Sequence, residues 1–309
     1  MLMSKKNIIA FSAILFFAFL VLPKISAALE VTPAIREVDL AKGEKTVVMI
    51  ELQNEATETM QLNTQVVNFT AKDEISGEPE YNLTGTPTGI ATWTTVQAGP
   101  IVIQPSGKVE VPVTFDTPAT ATPGGHYVGV VFSFVESAAA ATNNSLKIES
   151  KVAVPILATV AGNFTESARI VAFKTNKTNY TSGPVKFTLR YENTGAVHLK
   201  PTGKVTVTSM FGKVVKEATI NTELSAVLPG TIRQYDVASW KDLGSAFGKY
   251  TAKVTLTSSG VVTNDTYDFW VFSTTGIVIA VVILLVVMIL IVLLIKALTK
   301  KKTEAPAAK

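Results

Sequence analysis

At 309 residues the chain holds no cysteine, so no disulfide can form in it and its domains must fold on buried apolar surface alone. Its formal net charge of +4 does not point to nucleic acid, because Lys5, Lys6, Lys24, Lys296, Lys300, Lys301, Lys302 and Lys309 all lie at the two ends of the sequence. Between Leu29 and Thr275 there are 20 basic and 23 acidic side chains, which leaves the middle of the chain close to neutral.

Lys5 and Lys6 precede an apolar run from Ile8 to Leu22, followed by Pro23 and the small residues Ser26, Ala27 and Ala28. Basic start, apolar core and small-residue site together spell a secretory signal over 1–28, cut after Ala28. A retained signal anchor is the alternative, since the apolar run approaches the length of the shortest membrane spans. Either way the middle of the chain is exported.

Residues 29–162 read as a first β-sandwich. Val47 to Leu52, Leu62 to Phe69, Tyr127 to Val135 and Lys151 to Val160 are β-rich runs. Val109, Val111, Val113 and Phe115 alternate with other residues and so share one face of a strand. Turn clusters separate the runs: Lys42-Gly43, Ser76-Gly77-Glu78-Pro79, Gly99-Pro100, Pro105-Ser106-Gly107 and Pro123-Gly124-Gly125. Pro112 and Pro155 interrupt strand patterns and predict edges or bulges. Ala138 to Ser145 reads as an exposed hairpin loop.

Asn163 to Ser167 is a hinge, and residues 168–268 form a second, membrane-proximal β-sandwich. Its predicted strands are Ile170 to Phe173, Val185 to Tyr191, Val205 to Met210, Val214 to Ile220, Gln234 to Trp240, Tyr250 to Leu256 and Thr266 to Phe272. Phe211-Gly212-Lys213 between two of them predicts a hairpin turn. The first unit carries 7 basic and 15 acidic residues over 29–161, the second 13 basic and 8 acidic over 162–268. That asymmetry reads as ordinary solvated surface or as an inner domain kept near anionic lipid or wall polymer.

Gly276 to Ile295 has no charge and no hydrogen-bonding side chain, and as a helix it spans roughly 30 Å, the thickness of a bilayer core. We place a transmembrane helix at 274–295 and a basic cytoplasmic tail at 296–309. Tyr267, Phe269, Trp270 and Phe272 supply interfacial aromatics before it, and Lys296 and Lys300 to Lys302 mark the cytoplasmic side after it. The chain is thus a single-pass cell-membrane protein with its N-terminus outside. Gly276 and Ala280 are the only small residues four apart on the helix, thin support for tight helix pairing.

The remaining features are distributed: Val31 to Ile35, Gly43-Glu44, a strand ending at Asn54, Ala91-Thr92-Trp93 and Pro123 to Tyr127, then Glu192-Asn193-Thr194-Gly195, His198 to Gly203, Phe211-Gly212-Lys213, Val227-Leu228-Pro229-Gly230, Arg233, Trp240 and Phe247 to Tyr250. In order and architecture this pattern resembles the WxL-interacting surface proteins of Gram-positive bacteria. The resemblance implies an all-β fold of two tandem immunoglobulin-like sandwiches with a signal peptide and a C-terminal membrane helix. It also implies a surface adhesion or scaffolding role toward a cell-wall or surface protein or polymer. Many sequons and the outer loops depart from the Gram-positive pattern.

No catalytic arrangement shows in the sequence. His126 and His198 fall in different units beside glycine turns, and no hydrolase, phosphate-binding or dinucleotide motif is present. No cofactor is expected. Asp73, Glu74, Glu78 and Glu80 form an acidic loop whose spacing fits no helix-loop-helix calcium site, so a solvated loop is expected rather than a metal site. Trp93 and Trp240 read as packing residues. Asn68, Asn82, Asn143, Asn163, Asn176, Asn179 and Asn264 each begin an Asn-x-Ser/Thr triplet and are candidate glycosylation sites. A surface hydrolase and a subunit of a secretion, pilus or sensing complex remain the rival functions.

Overall fold

The computed structural model describes residues 29–135 and 150–303. The signal segment, the loop from Ala138 to Ser145 with Asn143, and the last residues of the tail lie outside the described residues.

The first half contains β1 (Leu29–Thr32), β2 (Arg36–Leu40), β3 (Lys45–Asn54), β4 (Met60–Val67), β5 (Phe69–Ala71), β6 (Pro79–Tyr81), β7 (Thr94–Val96), β8 (Ile101–Ile103), β9 (Lys108–Asp116), β10 (Gly124–Phe134) and β11 (Lys151–Val160). One sheet has the order β1-β3-β9-β7 and the other β2-β11-β10-β4-β8. Their inner faces follow from alternation. Ile50, Leu52, Val111, Val113 and Phe115 of the first meet Leu62, Val130, Phe132, Val154 and Ile156 of the second, all essentially without solvent contact. Full burial of such a side chain contributes about 1.5–3 kcal/mol.

The second half contains β12 (Ala168–Thr175), β13 (Asn179–Tyr180), β14 (Phe187–Asn193), β15 (Thr202–Ser209), β16 (Val214–Ile220), β17 (Ile232–Asp236), β18 (Phe247–Ser258) and β19 (Val261–Phe272). Its sheets are β12-β14-β17 and β13-β19-β18-β15-β16. Leu189, Tyr191, Val205, Val207, Ala252, Val254, Phe269 and Val271 fill the core between them. The helix α1 (Thr274–Thr303) begins one residue after β19.

Both halves share a plan. The leading strand is split between the two sheets: β1 pairs with β3 while β2 runs parallel to the last strand β11, and β12 pairs with β14 while β13 runs parallel to β19. The chain is therefore all-β, two tandem immunoglobulin-like sandwiches followed by one helix.

The two prolines are placed by what their neighbours leave open. β9 and β11 each have a strand on either side, so neither is an edge strand. But β7 pairs only with 113–115 of β9, and β2 pairs only from Ile156 of β11 onward. Pro112 and Pro155 each sit one residue beyond the outer partner, where a missing N–H costs no ladder bond.

Three expectations are corrected. The strand expected over Gln234 to Trp240 ends at Asp236, and Trp240 returns as an isolated bridge to Val185 with its ring 5.2 Å from Tyr250. Phe269 is a core residue rather than an interfacial one, because β19 alternates and only Trp270 and Phe272 turn away from the core. The helix continues past Ile295 to Thr303, as lysine is a good helix former and does not end the backbone ladder.

Candidate binding surfaces

Two buried asparagines, one in each sandwich, shape the loops that follow them. Asn193, at the end of β14, donates from Nδ2 to Val197 O and Val227 O, both at 2.8 Å, and accepts the Gly195 N–H at 2.9 Å. Asn54 does the same at the end of β3, donating to Glu58 O, Ile103 O and Gln104 O and accepting the Ala56 N–H. Both are fully buried. A buried amide is tolerated only when its groups are satisfied, and each loop supplies the partners.

The loop held by Asn193 is one side of an elbow between the sandwiches. Gly125 N–H, in β10, donates to Ala196 O at 2.8 Å. Gly124 has φ +113°, and a Cβ there would lie 2.7 Å from the same Ala196 oxygen, so only glycine permits this approach. Beside it the Tyr127 hydroxyl lies 3.5 Å from His198 Nδ1, the two rings edge to face at 5.9 Å. Lys200 pairs with Glu37 of β2.

The other side of the elbow is the acidic loop between β5 and β6, whose four carboxylate side chains stay exposed while other parts of it reach the second sandwich. The loop lies on the second sandwich. Ile75 O accepts the Gln234 N–H at 3.2 Å, Glu74 pairs with Arg190, and Gly77 faces the Arg233 side chain, which a Cβ would approach to 2.8 Å. Asp73 accepts the Ile75 and Ser76 N–H groups, which hold its carboxyl below the usual carboxylate range, and Glu78 pairs with Lys72. These acids shape and dock a loop. Among the described residues no three His, Asp or Glu side chains are gathered so as to hold a metal ion. Exposed ion pairs add little each, so the backbone bonds and the packed glycines fix the angle. Part of the opposite charge on the two units is thus spent between them, at Glu37–Lys200 and Glu74–Arg190.

Two clefts open beside the docked loop. One, of about 220 Å³, is apolar and lies between the sandwiches, lined by Ile35, Phe69, Pro155, Leu157, Leu228 and Arg233 among others. The other, of about 410 Å³, is polar and includes Asn221, Glu223, Arg233 and Asp236. Ile35 and Ile75 stand at their rims, 54% and 60% exposed.

Burial lowers the His198 imidazole below the ordinary histidine value, with Glu37 and Asp39 opposing and Lys200 reinforcing the shift. The unfolded chain takes up this proton near pH 6.5, the folded chain only at lower pH. The His198 contribution is therefore complete above about pH 6.5 and is lost as the pH falls below it. The Tm of the two sandwiches is expected to drop on acidification through that window more steeply in the native chain than in His198→Gln, as read at successive pH values. His126 is held elsewhere: its Nε2 lies 2.9 Å from Thr122 O and its ring packs on Trp93.

Of the sequons, Asn82, Asn163, Asn176, Asn179 and Asn264 are exposed. Asn68 is half-buried and its Nδ2, the atom a glycan would need, donates to Thr88 O at 2.9 Å. The described sequons are dispersed along both sandwiches and the segment between them, and form no single site among the described residues.

No protein-family model matches the sequence, and no curated protein matches it. Solved structures are similar at low identity. A chaperone–tip adhesin complex of CFA/I fimbriae is similar over 78% of this chain and 98% of that one, at 11% identity and TM-score 0.41. The E. coli chaperone DraB is similar over 79% and 96%, at 8% identity and TM-score 0.39. The Salmonella enterica SafA pilin–SafB chaperone complex gives 78% and 95%, 10% and 0.39. At these TM-scores the likeness carries no argument about what this chain binds.

Proposed function

We propose that the chain is a single-pass surface protein that binds another surface or cell-wall component, protein or polymer, as an adhesin or scaffold and without catalysis. The observation that carries this is the elbow: two sandwiches are held at one angle by backbone bonds, and the second passes into an apolar helix through Ser273 alone. Within Thr274–Thr299 an 18-residue stretch has a mean hydropathy of 3.9, and the helix is long enough to cross a membrane. With Lys296 and Lys300 to Lys302 on the cytoplasmic side, the sandwiches stand outside. Such a body sets a binding face at a fixed height and orientation. The face we assign to the partner is the one around the docked loop, with exposed Ile35 on the apolar cleft and exposed Ile75 on the polar one. Kinship with the WxL-interacting proteins, and a partner carrying a Trp-x-Leu repeat, belong to the same proposal.

The rival reading, a subunit of a membrane complex, asks the helix to pair. Gly276 is already used within the chain, since a Cβ there would lie 2.7 Å from Ala246 O, and apart from Ala280 the span from Ile277 to Ile295 offers bulky apolar residues to its surroundings. A photo-crosslinking residue at Ile35 or Ile75 in the full chain on intact cells tests the choice. The scaffold reading expects discrete adducts with one abundant surface protein or with wall fragments. Adducts confined to integral membrane proteins would transfer the case to the complex.

A further inference from the structure

The second sandwich meets the helix along one end. Ser273 Oγ accepts the Gly276 N–H at 3.0 Å and caps α1, while Ser273 N–H donates to Ala246 O at 3.0 Å. The helix therefore starts pressed against the loop before β18. Antiparallel pairing brings two more features to this end. Phe247 pairs with Phe272, and Ser209 pairs with Tyr250, so the turn between β15 and β16 lies here as well.

A groove of about 740 Å³ runs between that turn and the helix, with Met210, Phe211 and Phe247 on one wall and Ile279, Ala280 and Ile283 on the other. Phe211 is 86% exposed at the tip of a hairpin, a large apolar cost if only water surrounds it. The opposite wall belongs to the apolar span Thr274–Thr299. From Gly276 to Ile283 the helix advances roughly 10 Å, so the groove lies between headgroup depth and acyl depth. Lys213, on the same hairpin, also lines the groove, and its ammonium can reach up to the phosphate layer while its stem stays among apolar groups.

We propose that this groove is a phospholipid site: one acyl chain of the leaflet beside the sandwiches lies between the hairpin tip and α1, and Lys213 meets the headgroup phosphate. This rests on the reading that α1 crosses the membrane with the sandwiches outside. Continuity with the lipid-facing helix selects lipid as the occupant, because Ile279, Ala280 and Ile283 face hydrocarbon wherever the helix spans. The hairpin then acts as a second foot, and the sandwich cannot swivel about Ser273.

The absence of cysteine makes the test direct. Phe211→Cys, Leu290→Cys and Val262→Cys are each made in the full chain, given a nitroxide label, and reconstituted in vesicles of phosphatidylcholine with phosphatidylglycerol. Val262 is exposed near the far end of β19, roughly 30 Å from the helix, and serves as the aqueous reference. The ratio of accessibility to oxygen over accessibility to a nickel chelate is expected to be several-fold higher at 211 than at 262, approaching that at 290. A lipid-like 290 with a water-like 211 overturns the lipid site and leaves the anchor standing. Shielding of 211 from both probes, as a second copy seated on the tip would give, overturns it too. A water-like 290 removes the anchor and the site together.

Discussion

Asn193→Ala is expected to cost the second sandwich about 2–4 kcal/mol, because it strands two polar groups rather than deleting one contact. The Val197 carbonyl loses its donor and the Gly195 N–H its acceptor, while the Val227 carbonyl keeps the Leu199 N–H at 3.0 Å. An unsatisfied buried group costs about 1–3 kcal/mol, and a domain of this size has roughly 5–15 kcal/mol in all. Asn193→Asp keeps the shape but turns an acceptor oxygen toward the two carbonyls, and it should be no better than alanine. Urea unfolding followed through Trp240, which is buried in this sandwich, reads the loss; Trp93, in the other sandwich, should report an unchanged midpoint. Asn54→Ala should reverse the pattern. A shift below about 1 kcal/mol at Asn193 would mean that water replaces the amide and that the loop does not depend on it.

The twin asparagines also show where sequence reasoning stops. The strands that alternate were legible, Val109 to Phe115 and Thr251 to Leu256 above all, because one face of each is buried and period two is forced. The helix was legible from composition alone. Asn54 stood out as a strand end and Asn193 only as part of a turn motif, but an asparagine in such a place usually marks an exposed turn, and nothing local says that the side chain points inward. The split leading strand was not legible, since β2 finds β11 across more than a hundred residues and parallel pairing leaves no turn signature. The first half of β19 was missed because Thr263, Asn264 and Asp265 read as a loop. The signal was Ser259-Gly260, both with positive φ, the two-residue turn that joins β18 to β19. The elbow was hidden for a different reason. Its charges appeared as a difference in composition between two units, and composition does not say whether opposite charges face solvent, lipid or each other.

Gly124→Val is expected to open the elbow while leaving both cores folded. A side chain at φ +113° costs about 1–3 kcal/mol in backbone strain alone. Its Cβ would also lie 2.7 Å from Ala196 O and 3.5 Å from the Ala196 Cβ, both belonging to a loop that Asn193 holds in place. The neighbouring loop cannot retreat without losing those amide bonds, so the strain is relieved by separating the sandwiches. The Gly125 N–H to Ala196 O bond is then lost, and with it the contact of Tyr127 with His198. Solution scattering should show a larger radius of gyration, and protease should cut faster within 162–167, while the far-ultraviolet circular dichroism stays that of a β-protein. Glu74→Lys, which reverses only the exposed pair with Arg190, should do far less, since such pairs contribute about 0–1 kcal/mol. If the two variants behave alike, the angle between the sandwiches is set by surface charge. If only the glycine variant opens, the close backbone approach at Gly124 is what holds the two sandwiches in a fixed relation.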